Sequence, residues 1–150
     1  MGRVSAEAVL VFIDGTICDR GAVLHLAGTT EFYEREAILQ GRPVPGSVPC
    51  LCELARRYQV VYIGARPAAS LRHTEEWLRL MGFPEGPVYL GATQEERLTI
   101  AKELGHTLHI VAGIGDRWDD NELELGCLSV ILKEHEGNWD TVRKHLLGMT

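Results

Sequence analysis

No apolar run in the chain approaches the roughly 20 residues needed to span a bilayer; the longest is Ala8–Ile13. That run is also too short for the core of a secretory signal, so a cytoplasmic location with no membrane partner is expected. Positive charge is in deficit, with 15 Lys+Arg against 21 Asp+Glu and a formal charge of −6. Such a balance argues against nucleic acid or an anionic bilayer as the main partner, while leaving room for a local basic pocket. Cysteine chemistry is sparse: Cys18 and Cys127 are isolated and Cys50 and Cys52 sit two apart. Neither a zinc-knuckle spacing nor C-x-x-C is present, so buried free thiols are expected. The histidines, among them His106 and His109, form no pair of clusters that completes a metal site. Trp77, Trp118 and Trp139 read as core or edge packing.

What is present is enough for one folded domain over residues 1–150, with 45% apolar and 24% charged residues. Short, nearly continuous apolar runs occur at Ala8–Ile13, Val60–Ile63, Pro87–Leu90, Leu108–Ala112 and Leu128–Leu132. Continuity of that kind marks strands covered on both faces. Helical stretches lie between them. Ser47–Arg57 is opened by Pro45-Gly46; Ala69–Met81, with Leu71, Glu75 and Leu78 on one stripe, stops at Gly82; Gln94–Leu104 stops at Gly105. Trp118–Leu125 and Trp139–Leu147 complete the set. Alternation of strand and helix predicts an α/β fold: a five-stranded parallel sheet with helices on both faces and right-handed crossovers. Residues 18–44 break the rhythm. They contain GAVLHLAG and FYEREAILQG, which suggest a short hairpin and a helix, and insertions of this length are commonly lids or partner surfaces.

Ligands of open parallel sheets bind beyond the carboxyl ends of the strands. The residues just after the first four runs are Asp14-Gly15-Thr16, Gly64-Ala65-Arg66-Pro67, Gly91-Ala92-Thr93 and Gly115-Asp116-Arg117-Trp118-Asp119-Asp120. Carboxylates therefore converge from two separate segments, as a hard cation such as Mg²⁺ requires. Asp is also a common turn and helix-cap residue, which is the plainer account of Asp14 or Asp116 taken singly.

The segments VLVFIDGTICD, VVYIGARP and AGIGDRWDDNELELG resemble motifs I, II and IV of the haloacid dehalogenase-like superfamily, in order, across Val9–Leu132. The resemblance implies a Rossmann-like fold with strand order 3-2-1-4-5, and a chemistry in which an Asp attacks a phosphoryl group beside Mg²⁺. Residues 18–44 then read as a minimal cap or flap. Asp116 and Asp120 match the motif IV metal site, with Asp119 serving a helix N-terminus. Thr16, Gly64, Ala65 and Arg66 fall on the phosphate-binding positions, and Arg97 and Lys102 are the candidates for the motif III cation. Arg66 is expected to face either a ligand anion or a surface Glu.

Two positions depart from the family pattern. Alignment on Gly15-Thr16 makes Asp14 the second motif I carboxylate, the acid/base and a metal ligand, and sets Phe12 where the nucleophile belongs. Gly64 replaces the motif II hydroxyl. A phenyl ring neither attacks phosphorus nor ligates a cation. Two readings stand: a degenerate phosphatase-like protein that binds a ligand or partner, with weak Mg²⁺ binding and little hydrolysis; or an active Mg-dependent phosphatase, acting on a small phosphomonoester or nucleotide, with Asp14 as nucleophile.

Overall fold

A computed structural model of the chain describes residues 7–115, 128–131 and 139–148. Strand β1 (Glu7–Phe12) lies at the centre of a parallel sheet, between β4 (Gln59–Gly64) and β6 (His109–Gly115). Strands β5 (Val88–Leu90) and β7 (Leu128–Ile131) flank them, in the order β5-β4-β1-β6-β7. That is the order implied by the resemblance. β1 is central because it can be: every side chain from Ala8 to Phe12 is buried, so the strand tolerates cover on both faces.

Alternation along β1 splits the core in two. Val9, Val11 and Ile13 join one apolar cluster with Val60, Tyr62, Leu51, Trp77 and Val142. Ala8, Leu10 and Phe12 join the other with Val61, Ile63, Ala101 and Leu104. The first cluster is covered by α2 (Ser47–Leu54), α3 (Leu71–Met81) and α5 (Trp139–Leu147), and the second by α4 (Gln94–Thr107).

Local chemistry accounts for most helix ends. Gly82 at φ 88° lets α3 close with Phe83 N–H donating to the Leu78 carbonyl at 3.0 Å. Thr93 caps α4 by accepting from Glu96 N–H, while the Glu96 carboxylate accepts from Ala92 N–H. Three expectations are corrected. α2 stops at Leu54, short of Arg57. The buried residues of α3 are Thr74, Trp77 and Leu78 rather than a Leu71, Glu75 and Leu78 stripe, because Trp77 is the side chain large enough to fill the core there. Gly105 does not end α4, which runs on until the Leu108 N–H bonds the Leu104 carbonyl. The helix expected at Trp118–Leu125 lies outside the described residues.

The insertion holds the expected helix within FYEREAILQG but not a hairpin within GAVLHLAG. GAVLHL forms a 3-10 segment (Gly21–Leu26), a second spans Thr30–Tyr33, and α1 covers Arg35–Leu39. Its hairpin is instead the pairing of its two ends, β2 (Cys18–Asp19) antiparallel to β3 (Arg42–Pro43). The insertion is fastened to α3 by the Trp77 indole N–H, which donates to the Gly41 carbonyl at 2.9 Å, and by Arg35 paired bidentately with Glu76. Trp77 and Trp139 are both buried, as are Cys18 and Cys50, whereas Cys52 is exposed. Among the described residues no helix is long and apolar enough to cross a membrane.

Two glycines test this packing. A Cβ at Gly86 falls 2.0 Å from the Val60 carbonyl oxygen, so Gly86→Ala should lower unfolding stability by about 1–3 kcal/mol. Nothing lies within 4 Å of a Cβ at Gly105, and Gly105→Ala should stabilise α4 by up to about 1 kcal/mol. Urea unfolding of the two variants measures both; a neutral Gly86→Ala contradicts the close approach of residue 86 to β4.

Candidate functional site

Beyond β1 the chain turns sharply. The N–H groups of Thr16, Ile17 and Cys18 all point at the Ile13 carbonyl, at 3.2, 2.9 and 3.0 Å. Gly15, at φ 85°, makes the turn possible. The result holds Asp14 at the carboxyl edge of the sheet with its side chain 34% exposed.

Arg66 arrives from the end of β4. Its side chain is fully buried, and its fork meets Asp14 bidentately: Nε to Oδ2 at 3.0 Å, Nη2 to Oδ1 at 2.7 Å. Nη1 donates to the Thr74 hydroxyl at 2.9 Å, and Nη2 also reaches Cys18 Sγ at 3.7 Å. The anion that Arg66 faces is thus neither a ligand nor a surface Glu but Asp14, a pairing geometry that guanidinium and carboxylate favour. Burial alone opposes the Arg66 charge; the Asp14 carboxylate outweighs it and holds the guanidinium more firmly protonated than usual. Burial, reinforced by the Asp14 charge, pushes the Cys18 thiol up to about 12. Cys18 therefore stays a neutral thiol near pH 7 and offers no nucleophile.

The ring of Phe12 is turned into the α4 side of the core, 6% exposed, among Leu10, Ile63 and Leu104. Gly64 ends β4 at the same edge and is tied into the ladder there: it pairs with Leu90, and Gly91 N–H donates to its carbonyl at 3.0 Å. Ala65 is exposed. Of the two motif III candidates, Arg97 is buried and its Nη1 donates to the Gly91 carbonyl at 2.7 Å, which brings it to the carboxyl edge; Lys102 is exposed on α4. Asp116, Asp119 and Asp120 lie outside the described residues.

One participant was not anticipated from the sequence. Arg20 is 4% exposed, donates to the Phe32 carbonyl, and stacks its guanidinium 3.8 Å from the centroid of the Phe32 ring. Four buried side-chain polar atoms lack a partner among the described residues, and three belong to this turn: Thr16 Oγ1, Arg20 Nε and Arg20 Nη1. Each such group costs about 1–3 kcal/mol if left unmet, so these atoms call for partners beyond the described side chains. Burial makes Arg20 less strongly basic than usual, offset in part by Asp14. With Arg66 and Arg20 set against Asp14, these three residues carry an excess of one positive charge.

No family model matches the sequence, and no curated protein matches it. Solved structures do. A class C acid phosphatase from Bacillus anthracis, with tungstate bound, superposes with a TM-score of 0.67 at 15% identity, over 99% of this chain and 81% of that one. The HAD-hydrolase YfnB from Bacillus subtilis, bound to magnesium, gives 0.63 at 12% identity, over 97% of this chain and 100% of the other. A chain of the Pnkp1/Rnl/Hen1 RNA repair complex gives 0.63 at 19% identity over 85% of this chain, which spans 42% of it. The fold is haloacid dehalogenase-like.

Magnesium fits the described part of this site poorly. Both Asp14 carboxylate oxygens are taken by Arg66, and Phe12 supplies no oxygen. Asp14 has left to offer a cation one further lone-pair site on each carboxylate oxygen, on a side chain already held by a guanidinium, and its main-chain carbonyl. Among the described residues no group of three or more His, Cys, Asp or Glu is placed to hold a metal ion.

The Asp14–Arg66 pair is testable by a double-mutant cycle. Asp14→Ala strands a fully buried guanidinium, and a loss of about 2–4 kcal/mol is expected, below the fully buried case because Asp14 is partly solvated. Arg66→Met in the same background should recover a substantial part of it. Additive single-variant losses in urea unfolding would show that the two side chains do not depend on each other.

Proposed function

We propose that this protein binds a small phosphorylated ligand at the carboxyl edge of its sheet and hydrolyses it little or not at all. It is read as a single domain over residues 1–150 in which residues 18–44 act as a minimal cap. The observation that carries the proposal is the engagement of both Asp14 oxygens by the buried Arg66 fork. A carboxylate so held keeps one lone-pair site on each oxygen but has its orientation fixed by Arg66, which disfavours the reach toward a reacting atom that a proton shuttle or nucleophile needs. Phe12, packed in the core, supplies no substitute. The excess positive charge of Arg20 and Arg66 over Asp14 favours an oxyanion over a cation, with the backbone N–H of Ala65 and the Thr16 hydroxyl as further donors. Tungstate bound to the class C acid phosphatase is an oxyanion on the same fold.

Removing an attacking residue commonly costs on the order of 10⁴–10⁶ in turnover, so hydrolysis of p-nitrophenyl phosphate with Mg²⁺ should be at background. Phe12→Asp alone should restore little and should destabilise, because it buries a carboxylate among Leu10, Ile63 and Leu104. Phe12→Asp with Gly64→Thr should do better, although a Cβ at residue 64 lies 3.2 Å from both Ile13 Cδ1 and Leu90 Cδ2, whose tips must give way. A competent natural phosphatase that Asp14→Asn abolishes and Phe12→Ala spares would make Asp14 the nucleophile and overturn the proposal.

Magnesium binding is expected to be weak and to depend on Asp116, with Asp120 acting through water, because Mg²⁺ gives up its waters reluctantly to a depleted ligand set. Tight binding in calorimetry that survives Asp116→Asn would contradict this.

A further inference from the structure

β5 (Val88–Leu90) forms one edge of the sheet, and among the described residues no strand pairs with its outer side. Tyr62 N–H donates to the Pro87 carbonyl, and Gly91 N–H to the Gly64 carbonyl. Main-chain groups of successive residues point to opposite sides of a strand, so residues 87, 89 and 91 face β4 while Val88 and Leu90 turn their N–H and carbonyl groups outward. Proline at position 87 therefore removes no donor from the outer edge. The approach to the strand is fixed: the Tyr62 hydroxyl donates to the Pro84 carbonyl at 2.7 Å, and Gly86 lies against the Val60 carbonyl. An edge with outward donors and acceptors on a rigid base is a template for another strand.

A groove lies at each end of this strand. Phe83, Pro84 and Val88 line one of about 230 Å³ beside α3, and Leu90 and Ile100 line another of about 630 Å³ beside α4, so each has room for an apolar side chain. Exposed carboxylates rim both: Glu75 and Glu85 the first, together with Arg79, and Glu95 and Glu96 the second. Val88, Tyr89 and Leu90 are themselves half-buried. We propose that β5 docks an extended, basic segment of a partner protein, with apolar side chains set among its Lys and Arg residues. Its main chain adds a strand to the sheet through Val88 and Leu90. Its successive side chains point to opposite faces, so apolar ones reach both grooves and basic ones meet the glutamates, whose sign selects the partner. A second copy of this chain is disfavoured by the same charges: antiparallel pairing of β5 with itself brings Glu85 of one copy toward Glu95 and Glu96 of the other. The surface is distinct from the Asp14 edge, and the proposal stands or falls without it.

A displayed library of random short peptides, selected on the full chain, supplies the probe, and the most enriched peptide is then synthesised for calorimetry. Enriched sequences should carry Lys and Arg interspersed with Val, Ile or Leu. Glu85→Lys combined with Glu95→Lys, both at exposed positions, should weaken the synthetic peptide by about tenfold or more, the scale of charge pairs lost at an interface. N-methylation along the peptide should cost about tenfold at alternate residues and little between them, because only alternate N–H groups face β5. Hydrogen exchange should slow at the N–H groups of Val88 and Leu90 when the peptide binds. Failure to enrich any sequence, or enrichment of acidic or wholly apolar ones, overturns the proposal. Uniform tolerance of N-methylation, or slowed exchange confined to other elements, does the same. Protection of β5 that rises with protein concentration in the absence of peptide, with a dimer in sedimentation, assigns the edge to a second copy and overturns it as well.

Discussion

The Arg66 fork on Asp14 organises everything at the carboxyl edge. It joins the turn after β1 to the turn after β4, and through Thr74 it reaches α3. Cys18, the first residue of the insertion's clasp, packs against the same guanidinium. A fully buried arginine demands a nearby anion, and Asp14 is the carboxylate the tight Gly15 turn presents. The interaction that makes the edge rigid thus also occupies the side chain on which phosphatase chemistry would depend.

That occupation has a consequence for what the edge attracts. A haloacid dehalogenase-like site is expected to gather carboxylates around a cation. In the described part of this one, a carboxylate is neutralised by one guanidinium and a second, Arg20, stands in excess. Phe12 points with Ala8 and Leu10 toward α4 and extends an apolar face of β1 there.

Much of the sheet was legible because its signal is local. Apolar runs such as AVLVFI and VVYI are covered on both faces and mark strands without help from the rest of the chain. The Gly82 stop of α3 was legible for the same reason. Gly105 was not, because a glycine in a helix signals an end only when no following residue closes another turn, and Leu108 does. The hairpin of the insertion was misplaced, while its helix was not, because 3-10 segments carry no extended periodicity and the pairing depends on ends far apart in sequence. The partner of Arg66 was beyond sequence reasoning in principle: the two turns that bring it to Asp14 are 52 residues apart, and nothing in GARP distinguishes an arginine that faces inward from one that faces a ligand.

Arg20 shows where such reasoning can be extended. An arginine followed by an insertion containing Phe32 and Tyr33 has two ways to be buried: an ion pair, or a stack against a ring with donors left over. Its neighbour Asp19 already accepts from Gly21 N–H at 2.8 Å, and Asp14 is held by Arg66. The stack is therefore what remains. It leaves the guanidinium desolvated, positively charged and short of acceptors, a costly state for a protein to maintain in an otherwise well-packed turn.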